Sequence, residues 1–167
     1  SEGIMQYNPH PKQMEVHQDP SRFKVLNWGR QTGKSILALH YIYFEALRKQ
    51  GRYWLVLPTY KQAKNVFWKQ YIQMIPEELQ VKKDAVDLSV TFPNNLDITL
   101  PDGTRVQHDP SQPPSMIELK GSDDADSLRG AKVNGFVFDE YAFHSPDAWE
   151  TVFSPMLSTT QGWAMFI

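Results

Sequence analysis

The 167-residue chain contains no cysteine, which excludes disulfides, thiolate nucleophiles and cysteine-ligated metal centres. No apolar run approaches the roughly 20 residues that a helix needs to cross a bilayer. Neither a membrane span nor a secretory leader is visible, and the lack of cysteine fits a cytosolic protein. Strong charge is lacking too: the net charge is −2, so nucleic acid meets no bulk attraction. The charges are nevertheless unevenly distributed. Residues 1–83 hold 13 of the 17 basic and 6 of the 19 acidic residues. Such polarity builds a basic face beside an acidic one, unless interleaved α/β elements mix the two halves in space. Apolar residues at 41% and charged residues at 22% describe an ordinary globular chain long enough for a real core, most simply one domain over 1–167.

The most informative stretch runs from Phe23 to Gly51. FKVLNW has strand character, GRQTGKS follows at Gly29–Ser35, and ILALHYIYFEALRKQG has helical spacing. Strand, glycine-lysine-serine turn and helix form the layout of a phosphate-binding P-loop. A glycine-rich turn lets backbone N–H groups converge on phosphate oxygens, and the helix N-terminus adds the positive end of its dipole. The candidate loop comprises Gly29, Arg30, Gln31, Thr32, Gly33, Lys34 and Ser35. Lys34 would reach the β- and γ-phosphates and the Ser35 hydroxyl would hold Mg²⁺. The loop is deviant: the usual pattern has glycine five residues before Gly33, where this chain has Trp28, and Gly29 comes one place late.

A second apolar run, FVFDE (Phe136–Glu140), ends in two acids. Two adjacent carboxylates at a strand end are costly unless a cation or hydrogen-bond network meets them. Downstream of a P-loop this is the Walker B pattern. Asp139 would serve the Mg²⁺ environment and Glu140 would orient or deprotonate the attacking water. Having both acids points to nucleoside-triphosphate hydrolysis rather than nucleotide binding alone.

The remaining segments are read more coarsely. The opening is rich in proline and polar residues, with a short helix expected from Pro11 to His17. RYWLVLP (Arg52–Pro58) is a buried strand stopped by proline. Thr59 caps the next helix, whose apolar residues Ala63, Val66, Phe67, Tyr71 and Met74 follow helical spacing. Lys61, Lys64 and Lys69 fall off that stripe, as a solvated face or a DNA contact. SVTFPNNLDITLPDGTRVQH (Ser89–His108) reads as an antiparallel meander with a hairpin turn at Pro101-Asp102-Gly103. Arg105 and Lys120 are surface charges or phosphate-backbone contacts. Asp123, Asp124 and Asp126 look like a metal cluster but lack EF-hand spacing, which favours turn and cap roles or pairing with Arg129. A helix from Pro146 to Phe153 and a strand from Gly162 complete the chain.

GRQTGKS, LPTYKQA (Leu57–Ala63), SLRG (Ser127–Gly130) and FVFDE together resemble the ATPase domain of viral large terminase subunits, over Pro11 to Ile167. The shifted glycine and the Arg-Gln within the loop are features of that family. The resemblance implies an α/β fold of the ASCE-type P-loop class, a mostly parallel sheet flanked by helices with an antiparallel β addition. It places the Gly162–Ile167 strand between the P-loop and Walker B strands. It implies Arg30 near the phosphates and Gln13 as an adenine reader, where the residues alone suggest a surface glutamine. Arg129 resembles an arginine finger reaching a neighbouring subunit's ATP, with an intramolecular salt bridge to Asp126 as the other reading. The implied activity is Mg²⁺-dependent ATP hydrolysis driving double-stranded DNA into procapsids. The implied partners are a portal protein, a small terminase subunit and further copies in a homo-oligomeric, pentameric ring in the host cell cytoplasm. The family's coupling motif and nuclease domain are missing after Ile167, so an N-terminal fragment without nuclease activity is expected. A helicase-like translocase is the alternative.

Overall fold

Parallel strands covered on both faces need uninterrupted apolar runs, and RYWLVL and GFVF supply them. The computed structural model describes Pro11 and residues 21–26, 33–140 and 144–167. In chain order the elements are β1 (Phe23–Val25), α1 (Lys34–Arg48), β2 (Arg52–Leu57) and α2 (60–74). A 3₁₀ turn at Glu77–Leu79, β3 (Lys82–Asp84), β4 (Ser89–Thr91), β5 (Asp97–Thr99), β6 (Arg105–Gln107) and β7 (Met116–Gly121) follow. A 3₁₀ segment, Ser122–Leu128, leads to β8 (Gly135–Phe138), α3 (146–160) and β9 (Trp163–Phe166).

Seven strands form one sheet in the order β1-β9-β8-β2-β7-β4-β3. From β1 to β7 every neighbouring pair is parallel, whereas β4 and β3 add on antiparallel. The expected insertion of the last strand between the P-loop and Walker B strands is observed: β9 pairs with β1 at Phe23↔Ala164 and with β8 at Gly135↔Trp163. Each face of the sheet has its own core. Leu37, Ile42 and Leu47 of α1, with Tyr71 of α2, pack beneath Leu55, Leu119 and Val137 on one side. On the other, Val152, Phe153 and Leu157 of α3 meet Trp54, Phe136 and Phe138.

Three local readings change. The meander is broken: β4 joins β7 in the main sheet, while β5 and β6 form a separate two-stranded sheet. Pro93-Asn94-Asn95 separates them, since proline cannot donate to a ladder and Asn favours turns. α2 is helical throughout but winds as a π-helix at Ala63–Phe67. The wider turn shifts the buried stripe onto Ala63, Phe67, Trp68 and Tyr71 and leaves Val66 half exposed. α3 has the same device at Trp149–Phe153 and then runs on through Thr160, past the expected end at Phe153. Pro155 is tolerated because it sits just after the π-turn, in the first turn of the new α segment, where its missing N–H costs least. The expected helix at Pro11–His17 lies outside the described residues except for Pro11.

One glycine holds the sheet to α2 by its lack of a side chain. A Cβ on Gly121, at the end of β7, would run into the backbone of Thr59 and Tyr60. Overpacking of this kind costs about 1–3 kcal/mol. Gly121→Ala is therefore expected to lose that much stability in urea unfolding, with an unchanged m-value.

Candidate active site

In open α/β sheets, ligand crevices form at the carboxyl ends of the strands. Here three of those ends, after β2, β7 and β8, converge with the start of α1. Gly33 precedes α1 with φ of 77°, a left-handed conformation that costs glycine nothing. It starts the helix by accepting from Leu37 N at 2.9 Å. The first turn, which begins with Lys34 and Ser35, carries no acidic residue, so the positive end of the dipole is not offset by a carboxylate of its own.

β8 delivers Asp139 to the same place. Its N–H donates to Val56 O at 3.0 Å as the last rung toward β2, and its side chain is buried. The Ser35 hydroxyl donates to Asp139 Oδ2 at 3.4 Å, and the Glu140 N–H donates to Oδ1 at 2.8 Å. Burial pushes the Asp139 carboxyl above the usual carboxylate range, against the pull of the Glu140 N–H, Lys34 and the Ser35 hydroxyl. A buried carboxylate whose ionisation is penalised, beside a hydroxyl oxygen, is a hard-oxygen pair that a divalent cation would stabilise. The residues thus fit Mg²⁺.

Glu140 turns the chain out of the strand with φ of 52°, a conformation non-glycine residues adopt at some cost and often at functional sites. Its Oε2 accepts from Gln62 Nε2 at 3.0 Å. Gln62 is fixed from behind by the N-cap Thr59: its N–H donates to Thr59 Oγ1 at 3.1 Å, and the Thr59 hydroxyl donates to Gln62 Oε1 at 3.2 Å. Asp123 Oδ1 accepts from Tyr60 N at 3.2 Å, so the 3₁₀ segment after β7 also caps α2.

His144 completes the cluster from within. It is buried, with Nε2 2.8 Å from Asp139 O and Nδ1 2.6 Å from Ser122 Oγ. A carbonyl only accepts, so Nε2 carries the proton. Burial holds the imidazole below its ordinary value, despite the pull of Asp139 O and Glu140. In that neutral ring Nδ1 accepts from the Ser122 hydroxyl.

Of the residues expected from sequence, Gly33, Lys34, Ser35, Asp139 and Glu140 come together at this pole. Gln13, Gly29, Arg30, Gln31 and Thr32 lie outside the described residues. Arg129 stands apart, at the end of the 3₁₀ segment. It pairs with Asp126 at 2.9 Å and donates to Thr151 O at 2.7 Å, and it touches none of those five. Asp123 and Asp126 take the cap and pairing roles anticipated for them, and no acid-rich metal cluster occurs among the described residues. Arg105 is held by Asp97 at 2.8 Å and Lys120 by Glu118 at 3.2 Å, so both of these cations are already paired. Lys61, Lys64 and Lys69 make no ion pair among the described residues. Sequence reasoning missed Gln62, Ser122 and His144. The Thr59-x-x-Gln62 spacing was a visible capping-box signal, whereas nothing local marks Ser122 or His144.

A P-loop strand and helix, a neighbouring strand ending in Asp-Glu, and a strand inserted between them define an α/β P-loop NTPase fold of the ASCE type. The family model described as terminase large subunit, T4likevirus-type, N-terminal, matches residues 25–167. The chain belongs to that family. It is 29% identical over 172 aligned residues to the large terminase subunit of Thermus phage G20c, covering 98% of this chain and 34% of that relative. It thus spans about a third of that relative's length. The large terminase ATPase domain of Thermus phage P74-26 superposes with a TM-score of 0.78 at 28% identity, covering 96% of this chain and 64% of that one. The large terminase of another thermophilic bacteriophage, in complex with ADP, shares the fold, with a TM-score of 0.63 at 17% identity, covering 93% of this chain and 38% of that one.

Proposed function

We propose that this chain is the ATP-hydrolysing motor domain of a DNA-packaging terminase. The observation that carries the reading is the pairing of the Ser35 hydroxyl with the buried Asp139 carboxylate, with Glu140 next in the chain. Gly33 and the start of α1 receive the phosphates, and Lys34 neutralises their charge. Ser35 and Asp139 would hold Mg²⁺, which would supply positive charge to offset that developing on the phosphate oxygens. Glu140, drawn toward Gln62 here, orients the attacking water and accepts its proton. Arg30 would lie against the phosphates and Gln13 would read the adenine edge by donating and accepting together.

The work done is translocation of double-stranded DNA into a procapsid through sequence-tolerant, salt-sensitive backbone contacts. The other partners are a portal protein, a small terminase subunit and further copies of the chain in a homo-oligomeric, pentameric ring in the host cell cytoplasm. The relatives described above are large terminases, which weighs against the helicase-like alternative.

Binding of a fluorescent ATP analogue tests the nucleotide site directly. Lys34→Ala is expected to weaken binding about 10–100-fold, from loss of a charge-assisted phosphate contact of about 1.5–3 kcal/mol. Equal affinity in the two proteins would sink the assignment of the phosphate site.

A further inference from the structure

The turn that carries both acids is fixed by a residue that neither the P-loop nor the Walker B pattern includes. The Asp139 backbone is held on both sides: its N–H by Val56 O at 3.0 Å, and its carbonyl by His144 Nε2 at 2.8 Å. That carbonyl belongs to the peptide plane joining Asp139 to Glu140, the plane that leads into Glu140's left-handed φ of 52°. The His144 ring has little freedom. It meets the Phe138 ring edge-to-face at 5.6 Å, and Ser122 Oγ lies 2.6 Å from Nδ1. Ser122 is itself buried and follows Gly121, which is packed against the Thr59–Tyr60 backbone.

We propose that His144, oriented by Ser122, is a positioning residue that fixes the Asp139–Glu140 peptide plane and so aims the Asp139 carboxylate at the Ser35 hydroxyl. Without the Nε2–H donor the plane can rotate. The Asp139 Oδ1 bond to the Glu140 N–H then no longer sets where Oδ2 points. Ser122 also begins the 3₁₀ segment Ser122–Leu128, which kinks at Asp124 and is followed by Arg129, so the same relay lies at the start of the stretch that leads to that arginine. The inference rests on the proposed role of Asp139 as a metal-binding carboxylate.

The test reads Mg²⁺ binding rather than turnover. The thermal stabilisation produced by ATPγS is measured as Mg²⁺ is titrated, giving a half-saturating Mg²⁺ concentration for each protein. Loss of a partner that orients a metal ligand typically costs about 10–100-fold in metal affinity. His144→Phe keeps a ring against Phe138 and is expected to raise the midpoint about tenfold. Ser122→Ala removes one neutral hydrogen bond and is expected to raise it about fivefold. His144→Gln can still donate to the Asp139 carbonyl and should fall between wild type and His144→Phe. A wild-type midpoint in folded His144→Phe, or in Ser122→Ala, overturns the proposal. Should His144→Phe fail to fold, Ser122→Ala decides alone. Asp139→Asn run alongside separates the two levels of the argument. If it keeps the wild-type Mg²⁺ dependence, the metal role of Asp139 fails; if it loses that dependence while the other variants keep theirs, only the positioning role does.

Discussion

Glu140→Gln is expected to lower ATP turnover by about 10²–10⁴-fold, the usual contribution of a positioned general base, while Mg²⁺·ATP binding stays intact. The substitution removes a proton acceptor and little else. The left-handed turn at φ 52° is a backbone property that glutamine meets as glutamate does. Gln62 keeps a partner as well, since an amide oxygen can accept from its Nε2 as the carboxylate does at 3.0 Å. The signature is therefore a fall in kcat with nearly constant nucleotide affinity, followed as single-turnover phosphate release beside analogue binding. Unchanged phosphate release would mean that another group takes the proton.

Arg129→Ala is expected to cost as much or more, but only in the assembled motor. Arginine fingers supplied by a neighbour contribute about 10³–10⁵ in turnover. Within one chain Arg129 is engaged with Asp126 and with Thr151 O, which looks at first like a competing structural role. Its side chain is 52% exposed and that of Asp126 is 83% exposed. Exposed pairs of this kind are worth about 0–1 kcal/mol, so exchanging the pair for a neighbour's phosphates costs little. The variant should match wild type in melting temperature and in nucleotide binding, yet lose DNA-stimulated hydrolysis in the ring. Mixing experiments sharpen the outcome. Arg129→Ala subunits combined with Lys34→Ala subunits should recover partial hydrolysis, because intact phosphate sites would again face an intact arginine. Full activity of Arg129→Ala alone, or no recovery on mixing, would remove the trans role.

Much of this architecture can be read from residues whose role is local. Lys34 and Ser35 follow a strand-turn-helix pattern, and Asp139-Glu140 ends an apolar run, so both halves of the site announce themselves within a few positions. The place of β9 came from the family resemblance and was met by the observed pairing. What local reading could not supply depends on three-dimensional return. The Ser122–His144 bond spans 22 positions and the Gln62–Glu140 bond 78. Neither residue type advertises its partner. The π-turns in α2 and α3 escaped for a different reason. Hydrophobic spacing assumes 3.6 residues per turn, and a single wider turn moves the apolar stripe by about one position, as Val66 and Trp68 show.

The pairing of β1 with β9 also bears on how the chain comes to be folded. β1 introduces the phosphate loop, and within the sheet it pairs with β9, the last strand described, at Phe23↔Ala164. During synthesis from the amino terminus, β1 leaves the ribosome early and waits until Trp163–Phe166 is made before its sheet neighbour exists. Closure over so long a loop is entropically slow. Nascent chains that stop short of residue 163 would carry every phosphate-loop residue without a sheet edge to anchor them. ATP affinity should therefore appear late and abruptly in a series of lengthening chains, rather than when Lys34 and Ser35 emerge.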